Sequence, residues 1–90
     1  MATITDNAAE RRFELAENGF TAHADYRRQQ GVLFIDYVFA PPELRGSGAA
    51  GRLMQGIMEQ AKADQVKVTP ICGYAAMWLQ RHKEFAELVA

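Results

Sequence analysis

A glycine run, Gly46-Ser47-Gly48-Ala49-Ala50-Gly51, stands between a strand-like segment and a helix-like one. Glycine has no Cβ, so the chain can turn sharply there and bring its backbone close to a ligand. A helix starting at such a turn aims unpaired N–H groups and the positive end of its dipole into it. Anions bind at that place, phosphate above all. Arg45, just before the first glycine, adds a guanidinium fork that matches phosphate oxygens.

The chain on either side reads as alternating elements. Phe13 and Leu15 alternate with Arg12, Glu14 and Ala16, and Asn18-Gly19 is a two-residue hairpin signal. From Phe20, the residues Phe20, Ala22, Ala24 and Tyr26 face one way, and Thr21, His23, Asp25 and Arg27 the other. Gln30-Gly31 reads as a second turn. Val32 to Phe39 is apolar on both faces except at Asp36, the pattern of a strand buried on two sides. Short turns join the three runs, so they pair as an antiparallel meander.

Pro41-Pro42 ends the third run, because proline donates nothing to a sheet ladder. A helix follows the glycines to about Asp64, with Ala50, Leu53, Ile57 and Ala61 as its buried stripe, widened by Met54 and Met58. Arg52, Gln55, Glu59 and Lys62 take its wet side. Val66-Lys67-Val68 predicts a short strand stopped by Pro70. A second helix starts near Cys72 or Gly73 and carries Ala75, Trp78 and Leu79 on one face, and Glu84 to Val89 reads as a short helical tail. The fold class is α+β: a meander of three to four strands, then helix, strand, helix, in one domain spanning 1–90.

Composition narrows the function. Ten basic and eleven acidic residues leave almost no net charge, which argues against a dedicated nucleic-acid binder. One cysteine permits no internal disulfide and fits a reducing compartment. Met1 to Asp6 has neither the basic segment nor the apolar core of a signal peptide, and no stretch has the length of a membrane span. The expectation is a soluble, cytoplasmic protein without a membrane or nucleic-acid partner.

Three phosphate or metal readings compete. Literally, the six residues spell G-x-G-x-x-G, the dinucleotide fingerprint, but that fold needs an acidic residue near the end of the next strand. Here the strand ends Val68-Thr69-Pro70, and the chain opens with hairpins rather than a parallel unit. A Walker loop fails because no Lys-Ser or Lys-Thr pair follows the glycines. Zinc fails because one cysteine and two distant histidines supply too few ligands.

Read one residue earlier, Arg45 to Ala50 is R-x-x-G-x-A. With that motif the chain resembles the GNAT superfamily of acetyl-CoA-dependent acetyltransferases, whose signature Q/R-x-x-G-x-G/A joins a strand to a long helix. It is similar in particular to a very short GNAT-like subfamily, through Pro-Pro-Glu-Leu-Arg-Gly at 41–46 and Val68-Thr69-Pro70-Ile71-Cys72, followed by Arg81-His82 and Glu84-Phe85. The likeness runs from about Val32 onward, and loosely over the hairpins before it. It implies that Arg45, Gly46, Ser47, Gly48, Ala49 and Ala50 hold the pyrophosphate of acetyl-CoA or coenzyme A through their backbone. It also implies that Val38, Phe39 and Ala40 pair with the pantetheine arm, and that the strand at 66–69 splays away to make room.

For chemistry, Cys72 is the candidate catalytic residue, because it starts a helix after a strand, where the dipole favours a thiolate. The plainer reading is a small buried hydrophobe. His82 lies about ten residues further along, or roughly 15 Å at about 1.5 Å per residue, which is too far to pair with it. It is expected instead to complement the dipole at a helix end. His23 is a candidate base on the polar side of its strand, with nothing in the sequence to aim it at a cleft. The chain departs from the subfamily with Tyr37-Val38 where a His-Thr pair is common, and with Trp78 where an acidic tyrosine stands; Tyr37 and Tyr74 read as packing aromatics. The resulting expectation is an acyl-CoA-binding protein with acetyltransferase-like activity on an unidentified small acceptor. The alternatives are a non-catalytic acyl-CoA sensor or partner subunit and, after that, a nucleotide-binding fragment. The Met-rich helix and open sheet edges offer surfaces for a homodimer, and nothing selects one.

Overall fold

Two left-handed pairs, Asn18-Gly19 and Gln30-Gly31, fold the amino-terminal half into hairpins. Both residues of each pair have φ between +51° and +80°, the backbone that matches the twist of two flanking antiparallel strands. The structure, a computed structural model, describes residues 3–90. Its strands are β1 (Thr5–Asn7), β2 (Arg12–Glu17), β3 (Phe20–Gln29), β4 (Val32–Phe39) and β5 (Lys67–Pro70). They form one sheet in the order β1-β2-β3-β4-β5, antiparallel except for the last pair, which is parallel. Two helices follow β4 and β5: α1 (Ala49–Asp64) and α2 (Gly73–Arg81). Short 3₁₀ turns occupy Pro42–Leu44 and Lys83–Leu88.

The expected order of elements is present, with β1 added. Helix α1 lies across β2, β3 and β4, helix α2 across β4 and β5, and the helices touch each other. Phe13, Leu15, Ala22, Ala24, Leu33, Ile35 and Val68 from the strands meet Leu53, Met54, Ile57, Met58 and Trp78 from the helices in one buried cluster. Burial of each large apolar side chain there contributes about 1.5–3 kcal/mol. Ala22 and Ala24, with no exposed surface, let α1 approach β3 closely.

One sequence expectation needs correction. β4 is buried on one face only. A bulge between the β3 residues Asp25 and Tyr26 shifts the register, so that Asp25 faces Tyr37 while Tyr26 faces Ile35. Asp36 is the extra residue, and Tyr37 turns outward with 52 % of its surface exposed. The apolar character of the outer face is covered by charge instead: the Arg27 guanidinium lies 4.8 Å above the Phe34 ring and makes a two-pronged pair with Asp36 at 2.7 and 2.8 Å. The sheet therefore has a helix face and an open face.

Candidate functional site

Pro41-Pro42 stops β4, and the 3₁₀ turn that follows is pinned by Leu44, which is buried. From there the chain climbs into α1 through two left-handed glycines, Gly46 at φ +82° and Gly48 at φ +87°. Gly48 is the N-cap and offers no side chain to the helix end. Three of the backbone N–H groups named above are engaged locally. Arg45 donates to the Pro42 carbonyl at 3.2 Å, Ser47 to the Leu44 carbonyl at 3.2 Å, and Ala49 to Ser47 Oγ at 3.3 Å. Ser47 Oγ in turn donates to the Leu44 carbonyl at 2.6 Å. Among the described residues the N–H groups of Gly46, Gly48, Ala50 and Gly51 have no protein partner. Bare N–H groups at a helix start form an anion cradle.

The cradle opens into a concavity of about 350 Å³ lined by Ala40, Arg45, Gly48, Gly51 and Tyr74 among others. Arg45 flanks it: its Nε donates to the Ala40 carbonyl at 2.9 Å, and its guanidinium lies 5.8 Å above the Phe39 ring. No carboxylate pairs with Arg45 among the described residues, so its terminal nitrogens stay available to an anion. Gly51, which the sequence reading left out, completes the surface. A Cβ there would stand 3.5 Å from Trp78 Nε1 and 3.8 Å from the Tyr74 hydroxyl, so α2 closes directly over this turn of α1. A larger hollow of about 410 Å³ at the far end of the sheet is lined by Asp6, Tyr26 and Arg28 among others. Its polar groups already satisfy one another, because Tyr26 donates to Asp6 at 2.6 Å and Arg28 pairs with Asp6 at 3.4 Å.

Beside the cradle, β4 loses its neighbour. Pairing with β5 runs from Val32 opposite Lys67 to Ile35 opposite Pro70 and goes no further. The Ile71 and Cys72 N–H groups both donate to the Ile35 carbonyl, at 2.9 and 3.0 Å, and fasten the start of α2 at that point. Tyr37 to Phe39 keep β3 on one side, and among the described residues Asp36 to Phe39 have no strand on the other. Val38 and Ala40 pack against the core, while Phe39 faces outward. An extended chain can be received along this free edge by main-chain hydrogen bonds.

Cys72 is the N-cap of α2 and half-buried, at the root of that gap. Tyr74 follows, and burial, with a smaller electrostatic contribution from the neighbouring Cys72, raises its pKa above the ordinary phenol value. It is therefore a proton donor rather than a base at neutral pH. His82 ends α2 without reaching the site. Its ring stacks on Trp78 with centroids 3.6 Å apart, and Nδ1 lies 2.7 Å from the Trp78 carbonyl. His23 lies on the open face, with Nε2 3.8 Å from Asp25 Oδ1 and its ring 5.3 Å from Phe39. No cluster of metal-ligating side chains occurs among the described residues, and no helix among them is long and apolar enough to cross a membrane.

The fold is shared with a solved structure. The solution structure of a GCN5-like protein from Staphylococcus aureus superposes with a TM-score of 0.76 at 22% identity, over 99% of this chain and 88% of that one. At that identity the likeness speaks for the fold. No curated protein matches the chain. At the level of sequence families, residues 12–88 match the GCN5-related N-acetyl-transferase family, from β2 to the last 3₁₀ turn. The chain belongs to the GCN5-related N-acetyltransferase family.

Proposed function

We propose that the protein binds acetyl-CoA, or a related acyl-CoA, and passes its acyl group to a small acceptor. The observation that carries this reading is the cradle of unpaired N–H groups at Gly46, Gly48, Ala50 and Gly51, set beside the unpaired stretch of β4. The cradle suits a pyrophosphate, with Arg45 adding charge from its rim. Val38, Phe39 and Ala40 supply main-chain groups for the amide-bearing pantetheine arm, which would lie along the gap left by β5. The thioester of acetyl-CoA supplies an activated acyl group. Cys72, whose N–H bond to Ile35 fixes it at the end of that gap, would attack or orient the thioester, and Tyr74 would give its proton to the leaving thiolate.

A second reading, an acyl-CoA-binding protein without turnover, is favoured by one observation. The outer face of β4 near the gap carries Tyr37 and Phe39, and neither is a base.

Thermal melting with acetyl-CoA, with NAD and ATP as controls, tests the ligand. Ligand at about a hundred times Kd adds roughly 2.7 kcal/mol to stability, so a chain this small is expected to melt on the order of ten degrees higher. A shift with NAD or ATP and none with acetyl-CoA overturns the reading. Product formation from a panel of amines, lost in Cys72→Ala, separates the enzyme from the binding protein.

A further inference from the structure

The open face of the sheet gathers groups that the cradle and the gap do not use. On the helix face the free stretch of β4 borders core side chains and the concavity assigned above to the acyl-CoA, which leaves that side to the cofactor. An acceptor therefore reaches the free stretch of β4 from the open face. There β4 presents Tyr37 and Phe39, stacked with centroids 6.4 Å apart. Cross-strand from them on β3 are Asp25, opposite Tyr37, and His23, opposite Phe39. Further out, Glu14 of β2 stands opposite His23, and the field of His23 contributes to holding the Glu14 carboxyl below its ordinary value, after its bonds to Arg12 and Asn7. The Phe39 ring that touches His23 on one side carries Arg45 of the cradle on another. His23 is thus tied by one ring to the phosphate loop, although the two are far apart in sequence.

Its chemistry fits what an amine acceptor lacks. An ammonium cannot attack until a proton has left, and imidazole is the side chain whose ordinary pKa lies near neutrality. The carboxylate of Asp25 and the open Tyr37 ring attract a cation to the same spot. We infer that His23, backed by Asp25, is the base that takes the proton from an acceptor ammonium docked on the open face against Tyr37 and Phe39. This inference rests on the acyl-transfer reading above. Neutral His23 takes one proton at its ring and later gives it to water. The freed amine lone pair forms the C–N bond as the thioester C–S bond breaks. The second amine proton goes to the departing thiolate, directly or through Tyr74. Asp25 is a positioning residue: it orients the ring and steadies its charged form.

The test uses the full chain with 2-phenylethylamine and lysine amide as probe amines. In His23→Gln and His23→Ala the melting shift with acetyl-CoA is expected to match the wild type, while acetylation falls by about 100-fold or more, the lower range for removal of a general base. The acid limb of the kcat/KM profile is expected to disappear in both variants, and free imidazole to restore part of the rate in His23→Ala. Asp25→Asn is expected to lower kcat with little change in KM, because the ring loses the group that orients it; Glu14, Arg12, Tyr37 and Arg45 face the same region and remain in place. A readout independent of turnover is the His23 ring resonance, which is expected to shift on titration with either amine before any acetyl-CoA is added. Rates within threefold of wild type, an unchanged acid limb, or a ring resonance indifferent to amine each overturn the inference and leave the acyl-transfer reading standing. Binding of acetyl-CoA with no product from any amine in the wild type overturns both transfer and base, and no acetyl-CoA binding removes the function proposed above.

Discussion

Gly51 separates two effects that most loop substitutions combine. It lies inside the first turns of α1 with ordinary helical backbone, so Gly51→Ala removes a helix-weakening glycine and is expected to stabilise the fold by about 0.5–1 kcal/mol. The new Cβ meets Trp78 and Tyr74 at normal contact distances, so nothing must move. It would nevertheless project beside Tyr74 at the wall of the concavity next to the cradle, and calorimetric titration with coenzyme A is expected to show weaker binding in a more stable protein. An unchanged affinity would mean that the helix start does not hold the pyrophosphate. Gly48→Ala is the contrasting case. At φ +87° an alanine costs roughly 1–2 kcal/mol, and its Cβ would come within 2.9 Å of Arg52 Nη1, displacing that side chain from Glu17. Urea unfolding is expected to show the loss of stability, and the titration a loss of affinity as well. The glycine motif shows where the phosphate loop lies, since its residues are contiguous. It does not show which N–H groups are free. Ser47 reads in the sequence like its neighbours, yet its hydroxyl occupies the Ala49 N–H.

Elements are tied together by a few charged pairs across the sheet. Arg52 of α1 holds Glu17 at the end of β2 with two bonds of 2.7 Å, Arg27 of β3 spans the bulge to Asp36, and Arg12 holds Glu14 within β2. Each arginine keeps its carboxylate below the ordinary value. A carboxyl with a lowered folded pKa stabilises the fold at pH above its unfolded value, 3.8 for Asp36 and 4.5 for the glutamates. That stability is lost as pH falls through the lowered value. Melting temperature is therefore expected to hold between neutrality and about pH 5 and to drop toward pH 3. Arg27→Met should flatten part of that drop, and added salt should reduce it, since the pairs are largely exposed. A variant with the same acid dependence as wild type would remove this pair from the account. The elements themselves were largely legible. Turn dipeptides gave the hairpins, and periodicity gave both helices to within a residue or two. β1 was not, because Thr5-Asp6-Asn7 has no apolar alternation and becomes a strand only by pairing with β2. The bulge at Asp36 was hidden too, since a sequence shows how many residues a strand has but not which one goes unpaired.

At the scale of the whole molecule, the site depends on contacts between segments distant in sequence. His23 reaches the neighbourhood of the loop only through the cross-strand pairing of β3 with β4, and Tyr74 reaches Gly51 only because α2 packs on α1. Neither proximity follows from spacing along the chain, which is why Tyr74 reads as a packing residue and His23 as a candidate base with nothing to aim it at a cleft. The packing that sets α2 is itself held from the carboxy-terminal side. Phe85, 5 % exposed, lies 6.0 Å from the Trp78 ring, while Val89 bridges to Val68 and the Ala90 N–H bonds to the Val68 carbonyl. A chain of this size is expected to have only about 5–13 kcal/mol of stability, and truncating a buried phenylalanine typically removes about 3–5 kcal/mol. Phe85→Ala is thus expected to lower the melting temperature by roughly 15–30 °C. It should also weaken coenzyme A binding at 25 °C, although Phe85 does not line the cradle, because Trp78 and with it α2 lose their backing beside Gly51. Phe85→Leu, which refills most of the space, should recover both together. Parallel recovery of melting and affinity would mean that the last 3₁₀ turn acts on the site through α2. A Phe85→Ala protein that melts within a few degrees of wild type would instead place that turn outside the cooperative unit, and the position of α2 over the cradle would have to be explained by its contacts with α1 and β4 alone.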